Sequence, residues 1–251
     1  MNLLDFALNL VLGLLLGTLG GLFGIGGGLI AIPALGVLFS LDQQLAQGTA
    51  LVMVVPNVLL AIWRYHQRNR IDLRHALMLA GPSLLFAMLG AGWAVTLDAG
   101  RMRVGFIGFL VALAIYNFTR AFFRNAGGGN TLRYPWPWLG LLGSGAGLLG
   151  GLFGVGGAVL ATPVLTSVFG TSQVVAQGLS LALAAPSTGV TLVTYALHDH
   201  VDWALGIPLA IGGLLSISWG VKFAHALPER VLRMLFAGFL MICAVLLSLE
   251  V

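Results

Sequence analysis

GLFGIGGGLIAIPAL, residues 21–35, returns almost letter for letter as GLFGVGGAVLATPVL at residues 151–165. Two copies imply two halves. In each, an apolar helix runs into a glycine cluster, Gly24, Gly26, Gly27 and Gly28 or Gly154, Gly156 and Gly157, and a shorter apolar run begins beyond it. Glycine is the poorest helix former after proline and adopts backbone conformations that other residues resist, so the helix is expected to break here. Inside a bilayer such a break exposes N–H and C=O groups, which is tolerated only where they face protein, water or a ligand. The stretch is therefore a candidate binding site on physical grounds alone.

The surrounding chain supplies the bilayer. Its 251 residues are 59% hydrophobic and 8% charged, and apolar runs of about 20 residues, the length that crosses a membrane, recur along nearly all of it. This is the composition of an all-α polytopic membrane protein. The longest polar stretch, residues 120–134, is too short to bury a core of its own and reads as a linker. The opening MNLLDF has no basic residue before its apolar run and reads as the start of the first helix. A single cysteine, Cys243, excludes an intrachain disulfide and any CxxC metal or redox site. The net charge of +4 resides in arginines gathered in short connections, as expected beside anionic lipid, so nothing here points to nucleic acid.

Apolar segments fall at 3–23, 29–40, 43–65, 75–97 and 102–123, and again at 136–153, 159–170, 173–196, 204–226 and 230–250. The two sets align without a gap at a constant offset of about 130 residues, pairing Gly26 with Gly156, Gln47 with Gln177, Pro56 with Pro186 and Asp72 with Asp202. Duplication accounts for this, and divides the chain into an N-terminal repeat (1–123), a cytoplasmic linker (124–135) and a C-terminal repeat (136–251) within one membrane domain. The short segments 29–40 and 159–170 would cover only about 18 Å of a roughly 30 Å core. Each is expected to be the second limb of a discontinuous or re-entrant pair, followed by about three transmembrane helices. Gly13, Gly17 and Gly21, matched by Gly143, Gly147 and Gly151, form small-residue faces whose plain reading is close helix packing.

Loop charge orients the repeats. The connection 63–74 carries Arg64, Arg68, Arg70 and Arg74 and should be cytoplasmic, whereas its equivalent at 193–204 has no Lys or Arg. Homologous loops of opposite bias are what an inverted-topology duplication produces. The arginines of the central linker and the basic 222–233 connection agree; Arg101 and Arg103, in an outer loop, run against the trend.

Enzymatic chemistry finds no support. The glycines complete neither GxGxxG nor GxxxxGK[ST], and there is no GxSxG. His198, Asp199, His200 and Asp202 cluster in an external loop and read as solvated loop residues rather than a metal site; no cofactor is expected. The polar residues within apolar segments are neutral: Gln47, Thr49, Asn57, Gln177, Ser180, Ser187, Thr188 and Thr191. A cation pathway would normally place a carboxylate at membrane depth. An anion can instead be held by the N–H groups of a broken helix with nearby amides and hydroxyls. The expected function is thus secondary transport of a small anion; a passive anion channel or a membrane scaffold is the alternative.

The pattern GxGGGxxxxP followed by QGT and a basic NRID loop, with the second copy GxGGAxxxxP, QGLS, VDWALGIPLAIGGL and LPERVLR, resembles the TauE/SafE family of sulfite exporters over nearly the whole chain. That resemblance implies a secondary transporter of sulfite, sulfonates or related organosulfur anions in the bacterial inner membrane. Its partners would be the small anion and membrane lipid, with a homodimer as one arrangement left open. Gly26, Gly27, Gly28, Gln47 and Thr49, with Gly156, Gly157, Gln177 and Ser180, match the motif positions and are expected to line the break. Asn57 and Ser187, beside the helix prolines, complete the candidate set. The chain departs from the family's usual GTS: Gly48, Thr49 and Ala50 in one half, Gly178, Leu179 and Ser180 in the other.

Overall fold

A computed structural model describes residues 3–68, 72–123 and 135–248, and among these every regular element is an α-helix. The linker expected at 124–135, apart from Pro135, lies outside the described residues, as do Arg70, Arg124 and Arg133 of the charge argument. The helices are α1 (Leu3–Phe23), α2 (Gly28–Phe39), α3 (Gln43–Arg68), α4 (Leu73–Ala94), α5 (Ala99–Phe123), α6 (Trp138–Phe153), α7 (Ala158–Ser167), α8 (Gln173–Leu197), α9 (Trp203–Ala226) and α10 (Glu229–Ser248). They track the apolar segments to within a few residues at nearly every end. Six of them, α1, α3, α4, α5, α8 and α9, are long and apolar enough to cross a membrane. The chain is a multi-pass membrane protein.

Small residues set how these helices meet. Gly13, Gly17 and Gly21 of α1 press on Leu209, Gly213 and Ile217 of α9; a methyl added at Gly17 would lie 2.5 Å from the Gly213 Cα. Gly143, Gly147 and Gly151 of α6 meet Leu79, Ser83 and Ala87 of α4 in the same way. With lipid outside as apolar as the side chains inside, close backbone approach is what favours association. Residue numbers rise together in both contacts, so α1 runs parallel to α9 and α6 parallel to α4. The long helices α3 and α8 instead run antiparallel: Gln47 early in α3 meets Tyr195 late in α8, and Tyr65 late in α3 meets Gln177 early in α8. The heads of α4 and α9 are capped alike, Asp72 accepting from the Arg74 N–H and Asp202 from the N–H groups of Ala204 and Leu205.

Candidate functional site

The glycine clusters break the helices in one and the same way. Gly24 and Gly154 take left-handed φ values of +68° each, and the N–H groups of Ile25 and Val155 reach back to the carbonyls of Gly20 and Gly150 at 3.1 Å, closing α1 and α6 with a Schellman-type turn. Gly26 and Gly27, with φ of +70° and +96°, then reverse the chain, as do Gly156 and Gly157 at +72° and +75°. A side chain at any of these positions would strain the backbone by about 1–2 kcal/mol. The reversal is tight. The Gly27 N lies 2.4 Å from where a Cβ on Gly20 would be, and the Gly157 N 2.2 Å from that on Gly150. Each short helix therefore starts from a sharp turn at the end of the long one and is not its straight continuation.

Glycine at the head of α2 and α7 has a second consequence. Gly27 and Gly157 are the N-caps, and neither offers a side-chain acceptor. The first-turn N–H groups of Gly28 and Leu29, and of Ala158 and Val159, have no partner within their own helix. Two uncapped N-termini, each carrying the positive end of a helix dipole, are thus held in fully buried surroundings. The head of α2 also meets the other repeat's break: a methyl at Gly28 would stand 3.6 Å from the carbonyl oxygen of Gly154, the C-cap of α6.

The side chains around the breaks are exchanged between halves. Gln177 of α8 lies on Gly24, within 2.9 Å of the Cβ position there, and Gln47 of α3 lies on Gly154 at 3.0 Å. The Tyr65 hydroxyl donates to Gln177 Oε1 at 3.0 Å and also contacts the Gly21 carbonyl at 3.4 Å. The Tyr195 hydroxyl donates to Gln47 Oε1 at 2.7 Å and contacts the Leu152 carbonyl at 3.2 Å. Each tyrosine–glutamine clasp therefore ties the last turn of one long helix to an early turn of the other, over a break. Phe23 stacks on Phe236 and Phe239 of α10, and Phe153 on Phe106 and Phe109 of α5, so the aromatic backing is exchanged too.

The remaining candidates divide. Asn57 donates to the Gly26 carbonyl at 3.4 Å and Ser187 to the Gly156 carbonyl at 3.0 Å, so both fasten the break of their own half. Ser180 accepts from Thr162 of α7 at 2.9 Å, a hydroxyl pair whose N-terminal counterparts are Ala50 and Ile32. Thr49 is elsewhere: it accepts the Asp202 N–H at 2.9 Å at the head of α9. Gly48 beside it leaves room for the His200 carbonyl, 1.8 Å from where its Cβ would be. Of the His–Asp cluster at residues 198–202, His198 bonds the Thr194 carbonyl at 2.8 Å and Asp202 caps α9. Among the described residues no three His, Cys, Asp or Glu are placed to hold a metal. Tyr65 and Tyr195 were not expected at the site. The signal for them is that they recur at the repeat offset, as the glutamines do.

A family described as Sulfite exporter TauE/SafE matches residues 9–247 of this chain. Among curated proteins, the probable membrane transporter protein YunE of Bacillus subtilis (strain 168) is 25% identical over 257 residues, covering 92% of this chain and 93% of its own. A probable membrane transporter protein of Methanocaldococcus jannaschii is 26% identical, covering 95% and 93%. One from Xylella fastidiosa (strain 9a5c) is 27% identical, covering 85% and 81%.

Proposed function

The chain belongs to the Sulfite exporter TauE/SafE family, and from that premise we propose that it is a membrane transporter that carries small sulfur-containing anions, sulfite or organosulfonates, across the bacterial inner membrane. The observation that supports the reading is the pair of uncapped, buried helix N-termini, that of α2 lying where Gly28 meets the other repeat's break at Gly154. First-turn N–H groups would bind the anionic head, and the buried amides and hydroxyls around the breaks would discriminate its shape. Two partly buried helix ends can each contribute up to ~2 kcal/mol to holding a negative charge.

The proposed mechanism is alternating access in an inverted-repeat frame, with the breaks near the membrane midplane. The antiparallel course of α3 and α8 supports the inversion, since equivalent helices of the two repeats then cross the membrane in opposite directions. Closure of both clasps at once corresponds to an occluded state. Arg64 over the Trp63 ring and Arg74 over that of Trp136, at 4.7 and 4.5 Å, suit an interfacial, basic cytoplasmic face.

Proteoliposomes holding the purified chain test the reading with labelled sulfite and a panel of sulfonates. Uptake above empty liposomes, accelerated when unlabelled substrate is preloaded, is the expected result, because only a carrier shows counterflow. Absence of flux for every anion in the panel overturns it; flux without counterflow replaces the carrier with a channel.

A further inference from the structure

We propose that the two equivalent glutamines have different tasks: Gln47 is the amide donor to the substrate, and Gln177 is a structural lock. This rests on the anion-transport reading and assigns roles within it. Both side chains are fully buried. The Gln177 amide is used at both ends, its Nε2 donating to the Phe23 carbonyl at 3.1 Å and the Leu22 carbonyl at 3.4 Å while Oε1 accepts from Tyr65.

Gln47 is held at one end only. Its Oε1 accepts from Tyr195 at 2.7 Å, yet its Nε2 has no hydrogen-bond partner among the described residues. The carbonyl corresponding to the Leu22 acceptor, that of Leu152, faces the Tyr195 hydroxyl at 3.2 Å instead. An amide N–H buried without an acceptor is rare in a folded protein. The stem of this side chain packs on Gly154, its Cβ 3.0 Å from where a Cβ there would stand, and the Gly154 carbonyl adjoins Gly28 at the uncapped head of the twelve-residue helix α2. The unpartnered buried donor is thus carried by a residue packed on the break that adjoins the uncapped head of α2.

Their chemistry selects an acceptor-only ligand. A small oxyanion with two or three oxygens on one centre can accept from Gln47 Nε2 with one oxygen and from the N–H groups of Gly28 and Leu29 with another. A cation or a ligand rich in hydrogen-bond donors would find no acceptor on Gln47, because Tyr195 already occupies Oε1. Tyr195 is a positioning residue: by fixing Oε1 it directs Nε2.

The test compares Gln47→Leu with Gln177→Leu in the purified full chain, measuring equilibrium binding of labelled sulfite and thermal unfolding in the same detergent. Gln47→Leu is expected to weaken binding ~10- to 100-fold, the range for losing one hydrogen bond to a charged group. Its melting temperature should stay within roughly 2 °C of the parent, since the change removes an unsatisfied donor and leaves the Tyr195 hydroxyl the Leu152 carbonyl as acceptor. Gln177→Leu should lower the melting temperature by roughly 3 °C or more, having stripped Phe23, Leu22 and Tyr65 of a partner, and its loss of affinity should be ~10-fold smaller than that of Gln47→Leu. Equal affinity losses, or the larger stability loss at Gln47, overturn the assignment while leaving anion transport standing. An unaltered protein that binds neither sulfite nor methanesulfonate overturns the anion reading and this assignment with it.

Discussion

Tyr195→Phe removes a single oxygen at the clasp over Gly154, and the structure gives the size of the effect. The hydroxyl donates to Gln47 Oε1 at 2.7 Å and contacts the Leu152 carbonyl at 3.2 Å. Without it, Gln47 retains no bond at either end of its amide, since Nε2 already has none. A buried acceptor left unsatisfied costs about 1–3 kcal/mol, which in a chain of this length lowers the melting temperature by roughly 2–10 °C. Gln47→Leu in the same background removes the orphaned amide and leaves only the Leu152 carbonyl short of the hydroxyl it met. The double variant should therefore recover most of the loss, giving a coupling of about 1–2 kcal/mol in the mutant cycle. The assay is reversible unfolding in mild detergent for the parent, the two single variants and the double. Additive single effects, with coupling below about 0.5 kcal/mol, refute the claim that this hydroxyl holds a Gln47 amide otherwise unpaired.

Two other contacts give predictions that need no ligand. Gly147→Ala drives a methyl to 2.4 Å from the Ser83 carbonyl and should cost about 1–3 kcal/mol by forcing α6 from α4. Gly92→Ala, where no atom lies within 4 Å, should stabilise by about 0.5–1 kcal/mol through helix propensity; similar melting shifts for the two would contradict the packing account. For topology, Gln67→Cys and His198→Cys, each made with Cys243→Ala, place exposed thiols in equivalent loops. A membrane-impermeant maleimide should reach His198→Cys from outside and Gln67→Cys only after the membrane is opened, and labelling of both from one side excludes an inverted duplication.

Local chemistry was legible in the sequence, and partnership across the fold was not. A left-handed turn at Gly24, Gly26 and Gly27 follows from what glycine alone tolerates, and it recurs at Gly154, Gly156 and Gly157 because the same residues do. Helix ends likewise follow from apolar runs, whereas the caps did not: Asp202, read as a solvated loop residue, heads α9 as Asp72 heads α4. The sequence reading put Gln47 and Gln177 at the breaks without saying whose. Each lies over the other repeat's break, because the direction of a side chain on α3 or α8 acquires a partner only once those helices cross antiparallel. Thr49 was grouped with Gln47 through the QGT motif, but two residues along a helix is a turn of about 200°, which carries it to the opposite side and onto the Asp202 N–H. Tyr65 was hidden by its neighbours: between Arg64 and His66 it reads as part of a basic loop, whereas α3 continues to Arg68 and buries it completely.

This exchange of partners bears on how the molecule would move. Were each sequence repeat a rigid body, α1 would travel with α4 and α6 with α9. The glycine faces instead bind α1 to α9 and α6 to α4, with backbones too close for any side chain between them. Thr49 and Gly48 further fasten α3 to the head of α9. On the proposed mechanism the units that would rock are then α1, α2, α3 and α9 against α6, α7, α8 and α4, each made of three helices from one repeat and one from the other. Between those units run both clasps and the contact of Gly28 with Gly154. Opening one clasp while the other holds would tilt the units about the closed end and uncover the uncapped helix heads to one side of the membrane. The proposed alternating access would thus require the breaking of hydrogen bonds between tyrosine and glutamine, and would leave the glycine-packed pairs intact.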